Sequence, residues 1–458
     1  MTYSVNLILA SYVILSVFLW VPAVALPAPT AASFGATGDG MTDDTAALQR
    51  AVDAGGPLVL DPGTYRLTAP LIIHLNADGY MGITGASGTA RLLMEGAGPA
   101  LYLIGTHGGT ASPATVKPAI WDRERFPIIS DLEIVGAHEE ADGICLEGTM
   151  NCTISRVLIR NCLHGIHLIK RNRNFILSDS HLYENKITGV FLDRVNLHQI
   201  IIVGNHISYS GSVGIHVLGG EVRNIQITGN DIEYNDDAEA NAADVLFDTR
   251  EGTLREFTIC SNTIQAVPSP GGANIRILGT ASAAADRSGL GSISGNIIGS
   301  QTVNIDLQHT RGVTISGNSI YSAAELSLRV RSCRNLTVTG NNIDYNPSVE
   351  NRMRDGIFIE SCKTVLISGN TLADCRWGTA EQGGAITLVD SQHALISNCI
   401  IMDPAVRGIH LINCTSCRVT NNIIQDTREP RRMIEAIAVS PSSEEISILD
   451  NTIPKIEE

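Results

Sequence analysis

Aromatic residues make up only 5% of this 458-residue chain, and its basic residues are outnumbered by acidic ones. Lysine and arginine total 32 against 47 aspartates and glutamates, which gives a formal net charge of −15. A nucleic-acid-binding protein needs a basic surface for the phosphates, so this balance excludes nucleic acid as the expected partner. A polyanionic substrate is compatible with it if local cations or a bound metal neutralise the substrate.

The sequence also lacks the motifs of several common enzyme classes. It has no P-loop, no glycine fingerprint of a dinucleotide-binding fold and no Ser-His-Asp arrangement. Its ten cysteines include no paired C-x-x-C ligand motifs, since Cys414-x-x-Cys417 stands alone. Cys152, Cys333, Cys362 and Cys417 each lie a few residues before a repeated asparagine phrase or its equivalent, which predicts small buried side chains that stack. We therefore expect neither a disulfide framework nor a cysteine metal site.

What the chain has in abundance is one short phrase, apolar-x-x-Asn-x-apolar. The phrase occurs ten times, with 22 to 34 residues between successive asparagines, at Asn205, Asn230, Asn262, Asn296, Asn318, Asn341, Asn370, Asn398, Asn422 and Asn451. A repeat of this length predicts a solenoid, in which each unit buries its apolar face against its neighbours. Asparagine suits a tight corner, and its amide can hydrogen-bond its copies in adjacent turns.

A second phrase, Gly-Ile-x-Leu, precedes the asparagine phrase in most repeats. Clear copies begin at Gly143, Gly165, Gly189, Gly214, Gly356 and Gly408, and weaker ones begin at Asp244, Asn274, Asn304, Glu325, Ala385 and Ala436. Alternation with period two predicts a strand with one buried face, and no repeat carries a helix-length apolar period. The sequence thus predicts an all-β solenoid, a single-stranded right-handed parallel β-helix.

The N-terminal part of the chain differs from the repeats. An apolar run from Val5 to Val21, followed by Ala23-Val24-Ala25, has the form of a secretory signal peptide, although no lysine or arginine precedes Arg50. An uncleaved membrane anchor is the alternative, because the run approaches spanning length. We predict a signal peptide over 1–25, an N-terminal cap with the first strands over 26–80, and the β-helix over 81–458. A short capping helix is expected from Thr45 to about Val52.

A family resemblance rests on this N-terminal region. The run Phe34-Gly35-Ala36, Gly38-Asp39-Gly40 and Thr42-Asp43-Asp44-Thr45, with Pro62-Gly63-Thr64-Tyr65 after it, resembles the N-terminal signature of the pectate-lyase-like superfamily. The resemblance implies a right-handed parallel β-helix and action on a polysaccharide. It also implies that the signature is a structural cap, so no chemistry is assigned to its aspartates. The polygalacturonase motifs Asn-Thr-Asp, Gly-His-Gly and Arg-Ile-Lys are absent, as is the epimerase motif Asp-Pro-His-Asp.

The strand register predicts which side chains face solvent. If the Ile and Leu of Gly-Ile-x-Leu point inward, then x and the residue after Leu point outward. The first outward column is predicted to be Cys145, His167, Phe191, His216, Leu246, Arg276, Asp306, Ser327, Phe358, Thr387 and His410. The second is predicted to be Glu147, Ile169, Asp193, Leu218, Asp248, Leu278, Gln308, Arg329, Glu360, Val389 and Ile412.

The candidate catalytic residues come from these columns. Asp193 and Asp248 lie two turns apart, about 10 Å between Cα atoms, and long rotamers could bring their carboxyl groups within the ~6.5–9.5 Å of inverting glycosidases. Glu147 with Asp193 fits the same spacing. His216 and His167 complete the predicted catalytic set, with His216 tuning one carboxyl group. The predicted substrate-binding residues are Glu147, Lys170, Phe191, Arg194 and Arg250.

The sequence therefore predicts a secreted, periplasmic or cell-surface enzyme acting on a pectin-like or other acidic polysaccharide. Glycoside hydrolysis by carboxylate acid/base chemistry is favoured. The alternatives are a lyase, with Lys170 or Arg194 as base and Ca²⁺ held by Asp193 or Glu147, and a non-catalytic carbohydrate-binding surface protein. No cofactor is predicted outside the lyase alternative, and no stable membrane association is expected after signal cleavage. The oligomeric state is left open.

Overall fold

A computed structural model describes residues 29–110, 112–237, 241–281, 287–349, 353–373, 375 and 377–453. The predicted signal peptide lies outside these residues. Within them the chain forms 42 strands, numbered in chain order, and very little helix. Helix α1 spans Thr45–Asp53, α2 spans Leu75–Asp78, and single 3₁₀ or π turns span Ala31–Phe34, Pro113–Thr115 and Ile120–Glu124.

The strands stack in parallel on three faces, because each pairs with its counterparts in the turns above and below. Sheet 1 contains the Gly-Ile-x-Leu strands. Its members are β4 (Leu71–His74), β7 (Gly98–Ile104), β10 (Ala141–Glu147), the first part of β13 (His164–Ser178) and of β15 (Thr188–Val203), β17 (Val213–Leu218), β20 (Ala243–Asp248), β23 (Ala273–Leu278), β26 (Val303–Gln308), β29 (Leu326–Arg331), β32 (Asp355–Glu360), β35 (Gly384–Val389), β38 (Arg407–Ile412) and β41 (Glu435–Val439).

Sheet 2 follows sheet 1 in each turn. Its members are β2 (Gly56–Leu60), β5 (Met81–Gly85), β8 (Ile128–Ser130), β11 (Thr153–Ser155), the second part of β13 and of β15, β18 (Glu221–Thr228), β21 (Thr253–Cys260), β24 (Ser288–Ser294), β27 (Arg311–Ser316), β30 (Arg334–Thr339), β33 (Lys363–Ser368), β36 (Gln392–Ser397), β39 (Thr415–Thr420) and β42 (Glu444–Leu449). The two long strands bend between the sheets at Lys170 and Arg194, whose φ values are 55° and 47°.

Sheet 3 contains the remaining strands, and in most turns from Asn205 onward these strands follow the asparagine corner. They are β1 (Asp39–Asp43), β3 (Gly63–Leu67), β6 (Ala90–Met94), β9 (Leu132–Gly136), β12 (Leu158–Arg160), β14 (His181–Tyr183), β16 (His206–Ser208), β19 (Asp231–Glu233), β22 (Thr263–Gln265), β25 (Ile297–Gly299), β28 (Ser319–Tyr321), β31 (Asn342–Asp344), β34 (Thr371–Leu372), β37 (Ile400–Met402) and β40 (Ile423–Gln425). With 15 strands in this sheet, the predicted right-handed parallel β-helix is confirmed, and it has about 15 turns.

The core is a stack of identical apolar positions inside the coil. Ile144, Ile166, Val190, Ile215 and Val245 follow one another in register and are fully buried. Branched side chains fill such flat inner faces well, because they pack against their own copies one turn away. Helix α1 packs on β2 and β4 with Leu48 and Val52 buried; its role as a cap, and the predicted domain boundaries, stay predictions.

The asparagine ladder is present and is fully buried at its centre. From Asn230 to Asn370 each side-chain Oδ1 accepts from the Nδ2 of the asparagine one turn earlier, at 2.9–3.0 Å. Each Nδ2 also donates to a backbone carbonyl oxygen. One position was predicted wrongly. Cys399, not Asn398, occupies the ladder, and its backbone N–H donates to Asn422 Oδ1 at 2.9 Å. Asn398 instead takes the preceding position with φ 55°, where most of the other turns have glycine.

The ten cysteines carry no disulfide. All ten are free, and nine of them are buried, Cys260 being half-buried. Cys333 and Cys362 stack at one corner, where the Cys333 backbone N–H donates to Cys362 Sγ at 3.2 Å. Small buried thiols in a stack fit the structural role that the sequence predicted.

Candidate active site

The strand pairing confirms the two outward columns through the first half of the coil. Cys145, His167, Phe191, His216 and Leu246 stand one above another, and the column continues through Arg276 to Asp306. The second column runs from Glu147 through Asp193 and Asp248 to Gln308 in the same strands. The residues proposed for catalysis therefore do lie on one face, sheet 1.

One turn of the columns was predicted in the wrong register. Asp306 pairs with Arg329, not with Ser327, and Gln308 pairs with Arg331. Leu326, Leu328 and Val330 are all buried, so the alternation continues through the strand. A period-two pattern of this length does not distinguish a shift of two residues.

Three rings stack at the centre of the first column. Phe191 lies between His167 and His216, with ring centroids 5.1 and 5.0 Å away and interplanar angles of 18° and 23°. His164 closes the group at 4.8 Å from Phe191 and 5.1 Å from His167. Because equivalent side chains on adjacent turns are about 4.8 Å apart, the stack follows directly from the solenoid geometry.

His167 lies between two carboxylates. Its Nδ1 is 3.2 Å from Asp142 Oδ2, and its Nε2 is 3.6 Å from Asp193 Oδ2. Asp142 also accepts a hydrogen bond from the backbone N–H of His164 at 2.9 Å. Asp142 thus fixes the orientation of the imidazole, and the ring can hold or pass a proton on the side of Asp193.

His216 and Asp248 form the far side of the site. Burial lowers the pKa of His216 to about 4, so its imidazole is neutral at neutral pH. Burial raises the pKa of Asp248, but hydrogen bonds from Arg250 at 2.5 and 2.8 Å outweigh this effect and leave the pKa below its usual value. Asp248 is therefore an ionised carboxylate beside a neutral ring.

The remaining predicted residues surround this centre. Glu147 accepts from Tyr102 Oη at 2.6 Å and from Lys170 Nζ at 2.5 Å, and these bonds lower its pKa against the opposing effect of burial. Arg194 Nη1 donates to Asp193 Oδ1 at 2.9 Å. The side chains of Lys170 and Arg194 are 68% and 62% exposed, so both cations face solvent beside these carboxylates.

Several buried atoms of the site lack hydrogen-bond partners. His164 Nδ1, His167 Nε2 and His216 Nε2 are buried and accept or donate no hydrogen bond within the described residues. Such atoms are uncommon in folded proteins and carry a free-energy cost unless something binds them. These nitrogen atoms belong to one group of neighbouring side chains, the histidine cluster, which consists of Asp142, His164, His167, Phe191, Asp193, His216 and Asp248.

Asp142 and His164 were not predicted from the sequence. Both precede the glycine of a Gly-Ile-x-Leu phrase, where strict alternation would place them on the inner side. The glycine itself faces inward, since a Cβ on Gly143 would lie 2.7 Å from Ile159 Cγ2. The glycine and the isoleucine after it thus both face the core. The residue before the glycine, Asp142 in one turn and His164 in the next, turns outward beside His167. The repeated break at this glycine is the signal that could have identified them.

No metal centre is evident in the part of the chain that the structure describes. It contains no group of three or more histidine, cysteine, aspartate or glutamate side chains placed to hold an ion. The described residues also contain no helix that is long and apolar enough to cross a membrane.

Three family profiles match consecutive parts of the chain. "Rhamnogalacturonase A/epimerase, pectate lyase-like" matches residues 30–98, "Periplasmic copper-binding protein (NosD)" matches 119–274, and "Right handed beta helix region" matches 275–453. The chain is a right-handed parallel β-helix protein whose N-terminal region matches a pectate-lyase-like profile. The family resemblance inferred from the N-terminal signature is thereby confirmed.

Solved structures similar to this β-helix protein include bacterial and phage proteins. The mannuronan C-5 epimerase AlgE6 A-module of Azotobacter vinelandii is 17% identical, with 93% of this chain and 100% of that chain covered and a TM-score of 0.42. The Agl-KA catalytic domain is 14% identical over 94% and 69%, with a TM-score of 0.48. Tailspike protein 3 of bacteriophage CBA120 is 11% identical over 93% of this chain, which spans 59% of its length, with a TM-score of 0.41.

Proposed function

We propose that this protein is an exported enzyme that cleaves an acidic polysaccharide at the histidine cluster, with glycoside hydrolysis as the reaction. The observation that carries the proposal is the placement of His167 between Asp142 and Asp193, beside a stacked Phe191 and buried imidazole nitrogens without partners. His167 and His216 cover both faces of Phe191, so the stack offers the edges of its rings to a sugar, and two carboxyl groups are what glycoside hydrolysis requires.

The environments of the two carboxyl groups suggest different roles. Asp248 is held ionised by Arg250, which suits a general base that activates water. Asp193 also accepts a hydrogen bond from an arginine, Arg194, whose side chain is mostly exposed. Unlike Asp248, it lies 3.6 Å from His167 Nε2, so we assign it as the general acid, with the imidazole as its proton donor. Two turns separate the pair, about 10 Å between Cα atoms, which leaves room for a sugar and a water molecule.

The Glu147–Asp193 pair is less well suited to this chemistry. Both Glu147 oxygens already accept hydrogen bonds, from Tyr102 and Lys170. His216 lies near both carboxyl groups of the Asp193–Asp248 pair. Among the described residues no histidine forms an ion pair or hydrogen bond with Glu147. We therefore assign Glu147, with Lys170, Phe191, Arg194 and Arg250, to substrate binding.

A lyase is the second candidate, and one observation favours it. Lys170 and Arg194 place two exposed cations at the corner next to Asp193, where they could neutralise a uronate carboxylate. Ca²⁺ is not placed by the side chains, because the described residues offer no group of three suitable ligands. For the same reason the copper named by one matching family does not fit, and no step is routed through a metal.

The location proposed for the protein is the periplasm or the exterior of the cell. The apolar run and small residues within 1–25 support export, and one matching family is described as periplasmic. A polysaccharide substrate is consistent with the negative net charge only if the local arginines and Lys170 receive its acidic groups.

The test is turnover on a panel of uronate and neutral polysaccharides, with and without chelator, by wild type and Asp193→Asn. Removing a general acid or base should lower the rate by about 10²–10⁴ with the fold retained. Asp231→Asn is the matched control, because Asp231 forms a similar pair with His206, 3.1 Å apart, on sheet 3. New reducing ends indicate hydrolysis, and an unsaturated product absorbing in the ultraviolet indicates the lyase.

Two results would contradict the proposal. Asp193→Asn with wild-type turnover would remove the assigned residue from the chemistry. Binding of a polysaccharide without any product would favour the non-catalytic carbohydrate-binding protein.

A further inference from the structure

A cluster of arginines lies on sheet 1 beyond the histidine cluster. Arg250, Arg276, Arg329 and Arg331 line an open cleft of about 290 Å³ together with only two carboxylates, Asp248 and Asp306. Four positive charges therefore face two negative ones, in a chain whose net charge is −15. This local excess of positive charge is opposite to the character of the rest of the protein.

Asp306 cannot balance the arginines that surround it. The carboxylate is almost fully buried and binds Arg276 Nε at 2.9 Å and Arg329 at 2.8 and 3.0 Å. Arg331 Nη2 is farther away, at 3.9 Å. One carboxylate thus faces three guanidinium groups, and two of them already donate three hydrogen bonds to it.

Arg331 keeps unused donors that point to a ligand. Its Nε is buried and makes no hydrogen bond within the described residues, while the side chain as a whole is 34% exposed. Arg331 lines the cleft, and the Asp306 oxygen nearest to its Nη2 is 3.9 Å away, so a bound anion would give the guanidinium an acceptor. The planar fork of arginine matches a carboxylate with two parallel hydrogen bonds.

The cleft lies on the same face of sheet 1 as the candidate active site, further along the coil. Asp248 belongs to both, and Arg331 follows it in the second column after Leu278 and Gln308. Three turns separate Asp248 from Arg331, about 14 Å along the axis. Glu360 comes next in the column, so the positive charge ends there and an anion is expected between Arg250 and Arg331.

We propose that this arginine cleft is an anion-binding subsite that takes a uronate carboxylate of the polysaccharide several sugars away from the bond that reacts. The inference rests on the proposed function for the nature of the ligand. It assigns Arg331 as the residue that contacts the carboxylate, while Asp306, which also binds Arg276, holds the neighbouring guanidinium of Arg329 in place.

The test is calorimetric binding of oligogalacturonates and oligomannuronates, each compared with its neutral methyl ester, by wild type and Arg331→Gln. Wild type should bind at least one acidic oligosaccharide more tightly than its ester. Arg331→Gln should weaken that binding about tenfold or more, as expected for a lost charge-assisted bond, without weakening binding of the ester. Arg156→Gln is the control, because Arg156 is an exposed arginine paired with Asp131 outside sheet 1.

Equal binding of acid and ester by wild type, or no binding of any acidic probe, would overturn the inference. Unchanged affinity in a folded Arg331→Gln would also overturn it, as would an equal loss in Arg156→Gln. Failure of the proposed function gives a different result. In that case Asp193→Asn cleaves the substrate at the wild-type rate, or no polysaccharide is cleaved at all. Tighter binding of the acid than of its ester would still depend on Arg331.

Discussion

The asparagine ladder should be the most sensitive structural element of the coil, and two adjacent residues test it. Asn341 is 2% exposed and belongs to the ladder, whereas Asn342 points to solvent from sheet 3. Replacing each by alanine changes the same atoms at neighbouring positions. The comparison therefore separates the ladder from any general effect of losing an asparagine.

The cost of Asn341→Ala can be worked out from its four side-chain hydrogen bonds. Asn341 Oδ1 accepts from the backbone N–H and the Nδ2 of Asn318, at 3.1 and 2.9 Å. Its Nδ2 donates to Ile315 O and to Asn370 Oδ1, at 3.1 and 2.9 Å. One orphaned buried N–H costs about 1–3 kcal/mol and each of the three further bonds contributes about 1 kcal/mol, so we expect a loss of roughly 4–6 kcal/mol.

Urea unfolding followed by circular dichroism measures this loss, and hydrogen exchange shows where it falls. Each turn of a solenoid contacts only its neighbours, so faster exchange should be confined to the turns around β27, β30 and β33. Asn342→Ala should change stability by less than about 0.5 kcal/mol. If the two variants unfold alike, the ladder does not stabilise the coil as argued.

Two further outcomes are expected. Burial raises the pKa of Asp244 to about 8, so the folded state holds a proton that the unfolded chain loses near pH 4. Wild-type stability should therefore fall between pH 4 and 8, by up to about 6 kcal/mol. Urea midpoints of Asp244→Asn should lack this fall, and parallel pH profiles of the two proteins would contradict it. A Cβ on Gly291 would lie 2.2 Å from the Phe257 ring, so Gly291→Ala should cost about 1–3 kcal/mol in thermal unfolding. Gly82→Ala, whose nearest atom is 3.8 Å away, is its control, and equal melting temperatures would refute the overpacking.

The fold could be predicted from the sequence because every turn repeats the same requirements. Gly-Ile-x-Leu defines an inner and an outer face, and the asparagine defines a corner, so stacking places residues two dozen positions apart next to each other. This logic placed His167, Phe191 and His216 in one column, as the pairing confirms. The prediction was wrong at Asn398 and at Ser327. At these places the pattern can be read in two registers, and the predicted positions are taken by Cys399 and Arg329.

The candidate site could be predicted only in part, because side-chain contacts across turns are not periodic. Asp142 and His164 face outward only because the strand alternation breaks at the following glycine. The arginine cleft depends on Arg331 taking the place that the pattern gave to Arg329. The carboxylate roles depend on pairing, such as that of Asp248 with Arg250, which spacing does not reveal. Whether Asp193 and Asp248 catalyse a reaction stays a prediction.

The central claim is that a glycan chain lies along sheet 1, across the stacked Phe191 and toward the arginine cleft. A crystal structure of Asp193→Asn with an acidic oligosaccharide that the wild type cleaves tests it most directly. The account predicts a sugar ring against Phe191, a glycosidic oxygen near the amide that replaces the Asp193 carboxyl group, and a carboxylate at Arg331. An oligosaccharide bound on sheet 2 or sheet 3, with sheet 1 bare, would contradict it.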